Sequence, residues 1–178
     1  DLATGTADLA LQIAESADVS VVGSDPSPKM LNVGRTKVQK SKARVTLDEG
    51  DAQALSYESN EFDACAMAFG IRNVPDRELA LREMVRVVRP GGRIVILELG
   101  EPDGALLGPL ARFHVHHVVP RIGALVSGSQ EYRYLQQSIA AFPPASVFAA
   151  LMQKAGVRDV EVRRLTFGAA NLYVGRSR

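Results

Sequence analysis

At 178 residues, with 46% hydrophobic and 23% charged residues, the chain has enough apolar material for one globular domain with a sizeable core. A formal charge of +1 excludes nucleic-acid binding driven by net charge, and a single cysteine excludes an internal disulfide framework and fits a reducing compartment. No uninterrupted apolar run approaches the ~20 residues of a membrane-spanning helix, and no targeting segment or repeat is visible.

The chain opens on Asp1-Leu2-Ala3-Thr4-Gly5-Thr6-Ala7-Asp8, followed by apolar residues at helical spacing (Leu9, Ile13, Ala14, Ala17). This reads as the end of a strand, a tight loop and a helix, an arrangement that brings bare backbone and a helix N-terminus up to a ligand. A strand ending at Leu2 or Ala3 needs residues before it, so the first strand is expected to be truncated. Residues 19–24 form a β-branched run ending in Asp25, and Pro26-Ser27-Pro28 opens a helix to about Lys40. A short strand is expected over 43–47, with Asp48-Glu49-Gly50-Asp51 as an acidic turn. Residues 62–69 read as a strand buried on both faces, and Cys65 within it as a buried, inert thiol.

Helical spacing over 77–88 (Leu79, Leu81, Met84, Val85, Val88) is stopped by Arg89-Pro90-Gly91-Gly92, and another buried strand follows over 93–99. This βαβ alternation predicts a mostly parallel sheet covered on both faces. The ending differs. A helix over 144–154 stops at Gly156, and strands over 157–163 and 166–174 lie so close in sequence that they must be antiparallel.

Residues 3–8 lack the G-x-G-x-x-G of a dinucleotide fold. A parallel sheet closed by an antiparallel hairpin instead resembles the S-adenosyl-L-methionine-dependent methyltransferases. In that arrangement Asp25 ends the second strand where a carboxylate meets ribose hydroxyls, and Asp51 follows the third, able to accept from the adenine amino group beside the Ala52 N–H. The plain alternative makes both acids helix caps or turn residues.

Narrower stretches name a family. They are Asp1–Asp8, Ala68-Phe69-Gly70-Ile71-Arg72-Asn73-Val74, Val87-Val88-Arg89-Pro90-Gly91-Gly92, Val119-Pro120-Arg121-Ile122-Gly123, Tyr132-Arg133-Tyr134-Leu135 with Ser138-Ile139, and Leu165-Thr166-Phe167-Gly168. With them the whole chain resembles the ubiquinone/menaquinone-biosynthesis C-methyltransferases. The resemblance implies a Rossmann-like class I methyltransferase domain over 1–178, lacking its N-terminal part, with a mostly parallel seven-stranded sheet. It implies S-adenosyl-L-methionine as cofactor and a polyprenylated quinol as substrate, demethylmenaquinol or a ubiquinone-pathway benzoquinol. Carried over, the cofactor contacts are Asp1, Gly5, Thr6, Asp25, Asp51, Ala52 and Ala68. Two positions depart from the family: Ala68, a serine in some members, and Ala7, usually glycine.

The same resemblance makes Arg72 the candidate for holding a ring oxyanion and Asn73 for orienting the ring hydroxyl or a water; for Arg72 the plain alternative is a salt bridge to a surface carboxylate. His117, Tyr132 and Tyr134 are candidate substrate contacts. His114 and His117 share a helical face, but two imidazoles with no nearby carboxylate or thiolate make an incomplete ligand set, and no metal is expected. Residues 105–140 read as a lid or substrate-lining insertion. A polyprenyl tail asks for such a surface, which implies peripheral contact with the inner membrane from the cytoplasm; ordinary core or a contact within a homodimer is the alternative. Two other functions stay open here: a methyltransferase for another small phenol or natural product, and a degenerate domain that binds no cofactor.

Overall fold

The computed structural model describes residues 1–100 and 129–178. Its elements are α1 (Asp8–Ala17), β1 (Val21–Asp25), α2 (Pro28–Lys40), β2 (Val45–Glu49), β3 (Phe62–Ala68), α3 (Arg77–Val87) and β4 (Val88–Leu99), then α4 (Ser129–Ala140), α5 (Ala145–Ala155), β5 (Arg158–Leu165) and β6 (Ala170–Arg176). Single 3-10 turns stand at Ile71–Asn73 and Thr166–Gly168.

β1 pairs with β2 and β3 with β4, both in parallel. β4 and β5 each pair antiparallel with β6, so the expected C-terminal hairpin is present. The two halves are joined by the first residues of the chain. Leu2 bridges Ser24 and Met67 in parallel; its N–H donates to Ala66 O at 2.8 Å, and Ser24 N–H donates to Asp1 O at 2.9 Å. The sheet therefore reads β2, β1, Asp1–Leu2, β3, β4, β6, β5, with six named strands among the described residues.

The helices begin and end where their sequences direct. Ser27 caps α2 by accepting from Met30 N–H with Pro28 at the first helical position, and Asp76 caps α3 by accepting from Leu79 N–H at 2.9 Å. Gly156, at φ 110°, ends α5. The α3 face made of Ala80, Leu81, Met84 and Val87 is fully buried with Met67, Ile94, Ile96, Phe148, Met152 and Tyr173 in one core against β3, β4 and β6. The Phe148 and Tyr173 rings meet edge to face at 4.9 Å; truncating Phe148 to alanine costs about 3–5 kcal/mol. A smaller core of Ala7, Ala10, Ala14, Val21 and Val45 seats α1 on β1 and β2.

Several boundaries differ from expectation. β2 runs on through Asp48 and Glu49, because the whole stretch pairs residue for residue with β1. In β3, Asp63 and Ala64 are exposed, so only the second half of the strand is interior; Arg89 meets the Asp63 carboxylate at the surface at 2.5 Å. Arg89-Pro90-Gly91-Gly92 begins β4 rather than merely ending α3. The chain end draws it in: Gly91 N–H donates to Ser177 O, and Ser177 N–H to Gly92 O. The helix α4 was not foreseen. Of the proposed lid over 105–140, the part up to 128, with His114, His116, His117 and Val119-Pro120-Arg121-Ile122-Gly123, lies outside the described residues.

Candidate active site

The carboxyl ends of Asp1–Leu2, β1, β2 and β3 open onto one cavity of about 520 Å³. That lies within the ~300–1,000 Å³ usual for small-molecule sites, and a sheet edge of this kind is where open α/β folds take ligands. A smaller cavity of about 240 Å³ sits at the opposite, amino end of the strands, between Val19–Val22 and Phe62–Ala66.

The floor of the larger cavity is the loop between Leu2 and α1. Ala3, Gly5 and Ala7 all have positive φ (52°, 56° and 65°), which folds the loop tightly enough for Ala7 N–H to reach Thr4 O at 2.9 Å. Asp25 holds this loop in place. Its Oδ2 accepts from Gly5 N–H at 2.9 Å and its Oδ1 from Ser27 N–H at 2.9 Å, while the residue is only 8% exposed. One carboxylate thus ties the glycine loop to the start of α2. At the far side of the loop Gly70 packs against Ala3 so closely that a Cβ there would lie 2.5 Å from the Ala3 methyl, which keeps β3 tight against the cavity floor.

Asp51 follows β2 in a tight turn. It accepts from Gln53 N–H at 2.9 Å and from the Gln53 side chain at 3.1 and 3.0 Å, and these bonds hold its carboxyl below the usual carboxylate range. Gln53 in turn accepts from Asp76 N–H at 2.9 Å, linking the turn to the cap of α3. The following loop is anchored from below: Glu83 accepts from Leu55 N–H, and Arg86, paired with Glu83 at 2.7 Å, donates to Leu55 O and Tyr57 O.

The cavity brings together Gly5, Asp25, Asp51, Ala52 and Asn73 of the residues expected from sequence. Asp1, Thr6, Ala68 and Arg72 do not line it. The Asp1 carboxylate accepts from the Thr4 hydroxyl at 2.6 Å, and the Thr6 hydroxyl is committed to Asp8 and to Lys37 Nζ at 2.9 Å. Ala68 is half-buried within β3. Arg72 stands behind the cavity wall rather than in it. Its Nη1 donates to Glu98 Oε1 at 2.6 Å and to Phe69 O at 2.7 Å, and its side chain is 11% exposed against 0% for Glu98. The expected salt-bridge alternative is the arrangement present, except that the carboxylate is buried. Asn73, one residue on, faces the cavity and accepts from the Tyr134 hydroxyl of α4 at 3.1 Å. The side chain of Tyr132 is outside the described residues, as is His117. Among the described residues no cluster of His, Cys, Asp or Glu is arranged to hold a metal.

Sequence reasoning missed three residues here. Gln53 organises the Asp51 turn. Phe69 lines the cavity while 43% exposed; it stands in the Ala68–Val74 family stretch, where no role was assigned to it. Glu98 had a signal, a lone acid inside the apolar run 94–99, since a buried charge must find a partner.

Solved structures with the same fold include methyltransferases. Phosphoethanolamine N-methyltransferase 2 of Haemonchus contortus matches 99% of this chain and 47% of its own with a TM-score of 0.73 at 20% identity. A SAM-dependent methyltransferase of Aquifex aeolicus matches 100% of this chain and 80% of its own with a TM-score of 0.71 at 15% identity. These neighbours share the Rossmann-like architecture, and the sequence relatives make the chain's class S-adenosyl-L-methionine-dependent methyltransferase. Within that class the chain belongs to the ubiE/COQ5 methyltransferase family, whose profile matches residues 1–177. It is 45% identical to the demethylmenaquinone methyltransferase of Deinococcus radiodurans, over 100% of this chain and 74% of the relative. It is 44% identical to the enzyme of that name from Thermus thermophilus, over 98% and 80%. It is also 43% identical to the ubiquinone/menaquinone biosynthesis C-methyltransferase UbiE of Syntrophotalea carbinolica, over 98% and 74%.

The residues present suit that cofactor. A left-handed Gly5 leaves backbone bare at the cavity floor, and two carboxylates stand at successive strand ends for a diol and an amine. The bound cofactor supplies an electrophilic methyl group.

Proposed function

We propose that this chain methylates a ring carbon of a polyprenylated quinol, with demethylmenaquinol as the preferred acceptor and a ubiquinone-pathway benzoquinol as the second. The observation that carries the reading is one cavity that holds Asp25, Asp51 and Asn73 together at the carboxyl edge of the sheet. The names borne by relatives at 43–45% identity support the quinol. In this reading Asp25 takes the ribose hydroxyls through the lone pairs its two backbone donors leave free, and Asp51 with Ala52 takes adenine. Asn73 orients the ring hydroxyl, with Tyr134 fixing the amide through its 3.1 Å bond.

A methyl sulfonium needs alignment and a dry path more than activation. The protein's task is to place an electron-rich ring carbon in line and to exclude water. Arg72, bonded to Glu98 and to Phe69 O, supports this from behind the wall. Ala7 and Ala68, the two departures from the family, do not line the cavity. Among the described residues no helix is long and apolar enough to cross a membrane; the lipid tail of the acceptor places the reaction at a membrane surface, with the enzyme in peripheral contact.

The test is incubation with S-adenosyl-L-methionine and the reduced demethylated quinols of both ring types, with products read by mass spectrometry. Gain of one methyl on the naphthoquinol ring is expected. Methylation of an unrelated phenol with neither quinol touched overturns the proposal.

A further inference from the structure

Phe69 follows directly on β3 with φ at 57°, a left-handed backbone that a bulky aromatic residue almost never adopts. Such strain survives only where the surroundings impose it. Here they are identifiable. Phe69 N–H donates to Leu97 O at 2.8 Å, and Phe69 O accepts from Arg72 Nη1 at 2.7 Å. That same nitrogen is held by Glu98 Oε1 at 2.6 Å, while Glu98 Oε2 accepts from Arg72 N–H at 3.1 Å. Leu99 N–H donates to Glu98 Oε1 at 2.8 Å and fixes the carboxylate on its own strand.

The object of this clamp is not the core. Phe69 is 43% exposed among the described residues, whereas Glu98, which anchors it, is fully buried. An ion pair with a fully buried carboxylate thus holds the strained backbone of a residue that lines the cavity also containing Asp25, Asp51 and Asn73. Core packing does not account for a ring presented in that way. An aromatic face on a site wall suits one chemistry in particular, a flat aromatic ring laid against it, offset or edge to face.

We propose that Phe69 is the wall against which the acceptor ring is stacked, and that Glu98 is a positioning residue that acts on Phe69 through Arg72. This rests on the reading of the acceptor as an aromatic quinol. The wall selects for a planar ring and sets its tilt relative to Asn73, four residues further along the chain.

The experiment measures acceptor KM, kcat and cofactor Kd for the unaltered chain, Phe69→Leu, Phe69→Tyr, Glu98→Gln and the Phe69→Leu/Glu98→Gln double variant. Phe69→Leu is expected to raise acceptor KM tenfold or more with cofactor Kd within twofold, and Phe69→Tyr, which keeps the ring, to stay within threefold of the parent. Glu98→Gln is expected to raise acceptor KM in the parent but to add less than twofold once Phe69 is gone, because its effect travels through that ring. Full additivity in the double variant overturns the positioning role. An acceptor KM within twofold of the parent in Phe69→Leu overturns the wall, and this variant decides the question even where Glu98→Gln does not fold. If the unaltered chain methylates a different aromatic compound and no quinol, the substrate reading fails alone, and the wall is judged by the KM of that compound in the same variants. If the acceptor proves aliphatic, both fail.

Discussion

Asp25→Asn separates the two tasks that one carboxylate performs. Its oxygens accept from Gly5 and Ser27 N–H at 2.9 Å each, in a residue only 8% exposed. Asparagine keeps the shape but retains a single oxygen, so its amide group must face one of these two donors. A hydrogen bond to a charged acceptor contributes about 1.5–3 kcal/mol, and leaving the donor unmatched costs a similar amount. A urea midpoint at constant slope therefore reports a loss of about 1.5–3 kcal/mol. The second loss is in binding. If the carboxylate also receives a ribose hydroxyl, removing the charge there weakens S-adenosylhomocysteine by about the same energy, roughly 10- to 150-fold in Kd. Isothermal titration under conditions where the variant is fully folded keeps the two effects apart. The Thr6 hydroxyl, already committed to Asp8 and Lys37, provides the control: Thr6→Ala binds within about twofold of the parent, since a bond pointing away from the cavity carries no affinity. A Kd for Asp25→Asn within about threefold of the parent, below 1 kcal/mol, refutes the assignment of the ribose to Asp25.

Three other outcomes follow from the geometry. Ala7, left-handed at φ 65° and fully buried, gains about 1–2 kcal/mol of strain relief as glycine but loses about 0.5–1 in chain entropy and about 0.8 in methyl burial. Ala7→Gly therefore shifts stability by less than about 1 kcal/mol and leaves cofactor affinity unchanged, whereas Ala7→Val loses more than about 2 kcal/mol; urea unfolding of both variants checks the pair. Arg86 and, secondarily, Leu55 N–H hold the Glu83 carboxyl below its ordinary value of 4.5. Its folded-state value being depressed, Glu83 stabilises fully above pH 4.5, and that contribution is lost as pH falls through the lower folded value. Glu83→Gln is expected to flatten the acid limb of a stability–pH curve, and an unchanged limb counts against the pair. Burial pushes the Cys65 thiol up to about 11, so at pH near 8 iodoacetamide labels it in urea and not in the folded chain; full labelling of the native protein overturns that placement.

Which features the sequence made legible depends on the range of the interaction responsible. Asp25 and Asp51 were readable because strand ends and βα turns are local: the β-branched run before Asp25 and the tight turn at Asp51–Ala54 fix where each backbone goes. Thr6 looked equally good by position. It is withdrawn by Lys37, 31 residues later on α2, whose ammonium takes the hydroxyl. The opening of β4 was read as a helix stop because Arg-Pro-Gly-Gly is a stop locally; only pairing with Ser177 at the other end of the chain makes it strand.

Arg72 and Asn73 pose the sharpest form of the problem. Adjacent residues in a three-residue 3-10 turn point in directions about 120° apart, so one of them faces the cavity and the other does not. Sequence pattern cannot say which, and the cation is the more tempting choice for a reaction that develops an oxyanion. Glu98 decides it. A carboxylate with no exposed surface must be matched by a cation, and Arg72 is the residue whose guanidinium and backbone N–H both reach it. Once Arg72 turns inward to Glu98, Asn73 is left toward the cavity and Phe69 O is captured on the way. The polar face of the cavity thus follows from an electrostatic demand made one strand away, inside the sheet.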